Sequence, residues 1–140
     1  MNFSQTPQEQ LFLEMIRSFA EKEVKPLAAE IDEQERFPIE TVKKMGEIGL
    51  MGIPFPVEYG GAGGTNVMYS MAVEELSRVC ATTGVVLSAH TSLCTAPIYE
   101  NGTEEQKMKK PLEYLDNEFG ETDIIRSSAL ILELPDKSKV

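Results

Sequence analysis

The chain has 140 residues, 41% of them hydrophobic, and this length and composition predict one domain with a single hydrophobic core. Thirteen basic against 23 acidic residues give a net charge of -10, which repels the phosphates of nucleic acids and of anionic lipid surfaces. We therefore expect neither a nucleic-acid partner nor a membrane partner.

Cysteine and histidine are too sparse to form a metal centre. Cys80 and Cys94 lack the spacing of zinc or thioredoxin-like motifs, and His90 is the only histidine. We expect both thiols to be reduced and the protein to be cytoplasmic. The first residues lack the basic start and apolar run of a secretory signal, and no stretch reaches the roughly 18 to 20 apolar residues of a membrane span.

Helical periodicity begins near the amino terminus. Thr6 is a suitable N-cap, Pro7 suits the first helical turn, and Glu9 completes a capping box. The apolar residues that follow at helical spacing are expected to face the core: Leu11, Phe12, Met15, Ile16 and Phe19. Four methionines on or beside such stripes are expected to fill gaps in the core: Met15, Met45, Met68 and Met71.

Two further short helices are predicted before residue 50. Pro26 interrupts the first run and opens a second helix, which ends at Phe37. Pro38 begins the third helix, and Gly49 is expected to end it in a left-handed conformation. Residues 53–64 contain two prolines and four glycines, so we expect an irregular loop there.

The middle of the chain predicts three more helices, about six in all. The first has an inward apolar stripe from Tyr69 to Cys80, and Glu74 is placed to pair with Arg78 on its surface. The next helix is predicted to place four residues on one side: Val86, His90, Leu93 and Pro97. Pro97 should bend or end this helix. Thr103 and Gln106 form a capping box for the last helix.

These elements predict an all-α fold, an up-and-down bundle. Near the end of the chain the helical pattern stops. We place a helical domain at residues 1–112 and a divergent tail at 113–140. The apolar run from Ala129 to Leu134 is the one strand candidate, and no second strand is predicted to pair with it. We therefore expect the tail to be irregular or to depend on a partner.

The residues that suggest chemistry have ordinary structural explanations. The glycine cluster from Gly60 to Gly64 matches no phosphate-binding motif, and no strand precedes it, so a structural loop is expected. His90 and Cys94 lie one helical turn apart without a third orienting group, which favours a half-buried histidine beside a cavity. The carboxylates cluster at helix starts and on solvent faces. We predict no catalytic residue, no metal ligand and no cofactor-binding residue.

Six segments carry a resemblance to a known family. They are AAEIDEQERFP at 28–38, GLMGIP at 49–54, EYGGAGG at 58–64, AVEELS at 72–77, LSAHTSL at 87–93 and NGTEEQK at 101–107. In this order they resemble the opening of acyl-CoA dehydrogenases, of the bacterial butyryl-CoA (short-chain) type. The resemblance runs from residue 2 to about residue 107, and the family's following segment, which reads like L-T-E-P, is not present.

The resemblance implies a flavoprotein that uses FAD to oxidise a short-chain acyl-CoA to 2-enoyl-CoA and passes electrons to an electron-transfer flavoprotein. It implies the amino-terminal helical domain of such an enzyme, which is a homo-oligomer. In the family, the catalytic glutamate and the flavin lie with the other domains. We therefore expect this chain alone to be inactive and to retain no FAD.

The resemblance also implies candidate substrate contacts. In the family, the helix that matches residues 86–97 lines the acyl-chain pocket, which gives four pocket-wall residues: Val86, Leu87, His90 and Leu93. They would set the depth of the pocket, because each buried methylene is worth about 0.8 kcal/mol. Two alternatives stay open: a non-catalytic interaction or self-association module derived from this domain, and a reading-frame change after Lys107.

Overall fold

The computed structural model describes residues 4–108, and in this range the protein is an all-α bundle without a β-strand, as the sequence predicts. The α-helical segments are α1 (Pro7–Phe19), α2 (Lys25–Glu33), α3 (Ile39–Glu47), α4 (Asn66–Val79), α5 (Ala81–Ala89), α6 (Ala96–Asn101) and α7 (Glu104–Met108). The predicted tail at 113–140, with its strand candidate from Ala129 to Leu134, lies outside the described residues.

Local signals in the sequence place the ends of the helices. At the start of α1, the N–H of Glu9 donates to Thr6 Oγ1 at 3.2 Å, and the Glu9 carboxylate accepts from the N–H of Thr6 at 2.7 Å. Gly49 follows α3 with a φ of 77°, the left-handed conformation that was predicted. The capping box of Thr103 and Gln106 at the start of α7 is also confirmed.

The core lies where α1, α3, α4 and α5 meet, and α4 packs against both α1 and α5. Its most deeply buried residues are Ile16, Ala20, Val24, Val42, Met45, Leu50, Met51, Ile53, Ala72, Leu76 and Leu87. The predicted stripe of α4 is confirmed, because Ala72, Leu76 and Cys80 are buried. The bundle is therefore held together by apolar burial contributed by most of its helices.

Two π-helical turns carry the helical path past prolines. One covers Ala20–Val24 between α1 and α2, just before Pro26, and the other covers His90–Thr95 between α5 and α6, just before Pro97. In each turn, the N–H of the residue before the proline donates to a carbonyl five residues earlier. Because the proline ring clashes with the preceding turn of a regular helix, the wider turn accommodates it. The break predicted at Pro26 is thus absent.

The predicted inner face of α1 is partly wrong. Leu11 and Met15 are 69% and 45% exposed, whereas Leu13 and Ile16 are buried. Apolar residues occur on more than one side of α1, so periodicity alone does not select a face, and the contact with α4 decides it. Met15 therefore does not fill the core, whereas Met45 is fully buried and does.

Residues 53–64, called here the glycine-rich loop, form the irregular segment that was predicted. The loop contains a short 3-10 turn, Val57–Tyr59, and folds back so that the N–H of Ala62 donates to the carbonyl of Gly52 at 2.9 Å. A Cβ at Gly61 would lie 2.1 Å from the carbonyl oxygen of Phe55, so no side chain fits there. Gly61 thus allows close backbone packing within the loop.

Candidate functional site

The candidate site is the outer face of α5 and of the π-helical turn that follows it, called here the α5 face. Residues 79–99 contain no Asp, Glu, Lys or Arg, although charged residues make up 26% of the chain. On this face, Val85 is 63% exposed and Leu93 is 64% exposed. Contiguous uncharged surface with exposed apolar side chains is typical of a site that a ligand or another polypeptide covers.

The structure spreads the four predicted pocket-wall residues around this segment. Leu87 is fully buried in the bundle core, and Leu93 is largely exposed. Val86 and His90 are half-buried, and Val86 packs against the core from its edge. Leu87 therefore supports the α5 face from behind, while the other three side chains have surface that a ligand can reach.

Small residues decide which way α5 is turned. Gly84 lies against Ser77 of α4 at a distance that leaves no room for a side chain on Gly84. One turn later, Tyr69 Oη donates to the carbonyl oxygen of Ser88 at 3.3 Å. This close approach turns Gly84 inward and Val85 outward, so the bulky apolar residues of α5 are not all buried.

His90 begins the second π-helical turn and is half-buried. Its Nε2 lies 3.2 Å from Thr95 Oγ1 across the turn. Burial lowers the pKa of His90 to about 4, because a charged imidazolium would lose hydration there. At neutral pH the side chain is therefore an uncharged polar group. Thr91, its neighbour, buries a hydroxyl that has no hydrogen-bond partner in the described part of the chain.

A small cavity lies between the glycine-rich loop, α6 and α7. Its lining residues are Met51, Gly52, Phe55, Tyr59, Gly61, Thr95, Ile98, Tyr99 and Lys107. The cavity has a volume of about 20 Å³, enough for roughly one water molecule. Thr95 connects it to His90. A flavin ring system is many times larger, so this cavity does not fit FAD.

Sequence reasoning missed a buried carboxylate on α4. The side chain of Glu75 is 9% exposed and accepts from Arg17 at 2.8 Å and from Arg78 at 3.1 Å. Arg78 also pairs with Glu21 at 3.1 Å, so its predicted pairing with Glu74 is wrong. Glu75 and Glu21, which both pair with Arg78, lie on different helical segments. Packing brings these two glutamates together, and the spacing of residues along one helix does not reveal it.

Residues 4–108 hold neither a metal centre nor a membrane-spanning helix. No group of three or more His, Cys, Asp or Glu side chains is placed there to hold a metal ion. No helix in this range is long and apolar enough to cross a membrane. Cys80 and Cys94 are both buried, and no disulfide joins them. The α5 face is thus the candidate binding surface among the described residues.

The family model for the acyl-CoA dehydrogenase N-terminal domain matches residues 6–113. The chain therefore belongs to the acyl-CoA dehydrogenase family and carries the amino-terminal helical domain of that family. The resemblance drawn from the six sequence segments is confirmed.

Three relatives of different kinds illustrate this similarity. The chain is 66% identical over 109 residues to the short-chain specific acyl-CoA dehydrogenase of Clostridium acetobutylicum, covering 78% of this chain and 29% of that protein. The butyryl-CoA dehydrogenase structure from Megasphaera elsdenii matches with a TM-score of 0.74 and 35% identity, covering 83% of this chain and 31% of that one. A Bacillus anthracis acyl-CoA dehydrogenase complexed with FAD matches with a TM-score of 0.71 and 31% identity, covering 80% and 19%. The chain thus spans less than a third of the length of these relatives.

Proposed function

We propose that this chain supplies one wall of the acyl-chain pocket of an FAD-dependent short-chain acyl-CoA dehydrogenase, which oxidises acyl-CoA to 2-enoyl-CoA. The observation that carries the proposal is the 66% identity to a short-chain specific enzyme over 109 residues, which include the whole α5 face. The uncharged character of residues 79–99 supports it, because an acyl chain requires an apolar wall.

Each pocket-wall residue has a physical role in this proposal. Leu93 and Val86 would contact the methylenes of the acyl chain and exclude water from it. His90 would present a neutral polar group at the floor, because its low pKa keeps it uncharged. Leu87, fully buried, would hold the wall rigid from behind. Together they would limit the length of chain that fits.

The described residues contribute to binding and orientation in this proposal. In such an enzyme, bound FAD would supply the hydride-accepting chemistry, and none of the described residues is proposed to hold it. The proposal includes that this chain alone neither retains the flavin nor catalyses the reaction. Homo-oligomerisation, electron-transfer flavoprotein as acceptor and a cytoplasmic location belong to the same proposal.

Spectroscopy and a dye-linked assay test the proposed inactivity. We expect the purified 140-residue chain to be colourless after incubation with FAD and gel filtration. We also expect it to leave an electron-accepting dye unreduced in the presence of butyryl-CoA. A yellow protein with flavin absorbance, or reduction of the dye above the rate without protein, would overturn this part of the proposal.

A chimeric enzyme tests the pocket wall itself. Residues 6–113 of this chain would replace the matching segment of the Clostridium acetobutylicum enzyme, to which they are similar. In this chimera, Leu93→Ala should raise the ratio of kcat/KM for hexanoyl-CoA to that for butyryl-CoA roughly fourfold for each methylene of added depth. Leu11→Ala, which removes the same atoms from an exposed position on α1, is the matched control. If the ratio of kcat/KM for the two substrates is unchanged in Leu93→Ala, Val86→Ala and His90→Ala, these residues do not form a wall of the acyl-chain pocket.

The exposed apolar residues of the α5 face favour a second candidate function. A non-catalytic domain that binds another protein, or a second copy of itself, would use the same surface around Val85 and Leu93. Sedimentation of the purified chain separates the two candidates. A monomer at high concentration would count against self-association, and a stable dimer that Leu93→Asp dissociates would support it.

A further inference from the structure

The short helix α7 is held to the bundle mainly by polar and aromatic side chains. None of its residues is buried, and Met108 is 61% exposed. A helix at the surface of a protein gains most of its stability from tertiary contacts and less from its own hydrogen bonds. Contacts with the rest of the chain therefore decide whether α7 forms.

These contacts form a continuous series across the cavity. Tyr59 Oη, from the glycine-rich loop, donates to Glu104 Oε2 at 2.9 Å. Lys107 Nζ donates to Glu104 Oε1 at 3.0 Å and lies 5.9 Å from the centre of the Tyr99 ring in α6. The Tyr99 ring packs edge-on against the rings of Phe55 and Tyr59, with 5.6 and 5.8 Å between the ring centres. We call Tyr59, Tyr99, Glu104 and Lys107 the latch cluster.

Electrostatics keep the centre of this cluster charged. Lys107 and then Tyr59 lower the pKa of Glu104 by hydrogen bonding to its carboxylate. The same carboxylate raises the pKa of Tyr59, so the phenol stays protonated as a donor. Glu104 therefore accepts from both partners at once, and losing either donor weakens the attachment of α7.

We propose that α7 is a latch, which closes the cavity against the glycine-rich loop and opens as a unit, with the bundle still folded, when the latch cluster is broken. Exposed polar contacts are individually weak, so the closed position is favoured by a small margin. The fully buried core residues lie outside α7, so its opening leaves the core intact. Opening removes Lys107 from the cavity rim. The latch does not depend on the proposed function.

Amide hydrogen exchange measured by NMR on the full 140-residue chain tests the latch. The reporting amides are those of Thr103, Gln106 and Lys107, which are hydrogen-bonded at 2.8, 3.3 and 3.0 Å. Tyr59→Phe removes the donor to Glu104 and retains the ring. We expect exchange at these amides to become at least about threefold faster, with no change in the amides of α1 and α4.

Two further variants make the result specific. Lys107→Met, which keeps most of the length of the side chain without its charge, should accelerate the same amides. Tyr69→Phe, which removes a phenol bonded to α5 instead, should leave them unchanged. The latch is overturned if Tyr59→Phe has no effect on these amides, if it accelerates α1 and α4 equally, or if these amides are already unprotected in the parent protein.

Discussion

Gly84 of α5 faces Ser77 of α4 so closely that a Cβ on Gly84 would lie 2.0 Å from Ser77 Oγ and 3.0 Å from its Cα. Contacts this short do not occur between real side chains, so the two helices meet here through backbone. Because this contact fixes the rotation of α5, it also decides which residues the α5 face presents. The position of the candidate pocket wall therefore depends on a glycine that is itself buried.

Gly84→Ala is expected to destabilise the domain. An alanine gains about 1 kcal/mol of intrinsic helix propensity over glycine, but overpacking a tight crossing costs roughly 1–3 kcal/mol and the neighbouring backbone must move. Urea unfolding followed by circular dichroism should show a net loss. Adding Ser77→Gly, which opens space at the same point, should recover part of that loss. Equal or greater stability of the single variant would contradict the close contact.

Glu75→Gln is expected to lower the free energy of unfolding by about 1–3 kcal/mol. The glutamine keeps the shape of the side chain but removes the charge shared by Arg17 and Arg78 at the edge of the core. Glu74→Gln, the adjacent exposed position, is the matched control and should change the free energy by less than about 0.5 kcal/mol. Urea unfolding measures both variants, and equal effects would contradict a special role for the buried carboxylate.

The burial of His90 is expected to reduce stability in mild acid. Its pKa is about 4 in the folded protein and about 6.5 in an unfolded chain. The unfolded state therefore binds the proton first, so stability falls as the pH drops from about 6.5 to about 4, by at most about 3 kcal/mol. Above this window the contribution is fully present and constant.

The variant His90→Gln isolates this effect, since glutamine does not titrate. The free energy of unfolding of the parent protein should fall more steeply than that of the variant as the pH drops through the window, although carboxylates titrate in both. Denaturant unfolding at several pH values provides the comparison. Parallel curves for the two proteins would show that His90 is accessible to protons in the folded state.

Leu87 and Leu93 should differ sharply in their effect on stability, although both belong to the predicted pocket wall. Leu87→Ala empties a fully buried position and should cost about 2–5 kcal/mol. Leu93→Ala removes a side chain that is 64% exposed and should cost less than about 0.5 kcal/mol. Thermal or urea unfolding of the 140-residue chain tests both. A large cost at Leu93 would indicate that this chain already covers the α5 face.

Signals that act between near neighbours were sufficient for much of this protein. The capping boxes at Thr6 and Thr103, the left-handed Gly49 and the irregular glycine-rich loop were all predicted, because capping and backbone preference involve residues about three or four positions apart. The family membership was also readable, because six segments carried it in order.

The sequence by itself thus determined the helices, most of their ends and the family. Tertiary structure decided which face of α1 is buried, that Arg78 pairs with the distant Glu21, and that Leu93 points outward while Leu87 lies in the core. It also decided that π-helical turns carry the chain past Pro26 and Pro97. The physical reason is range: helix ends depend on neighbours along the chain, whereas burial and ion pairing depend on residues that packing brings together from distant positions.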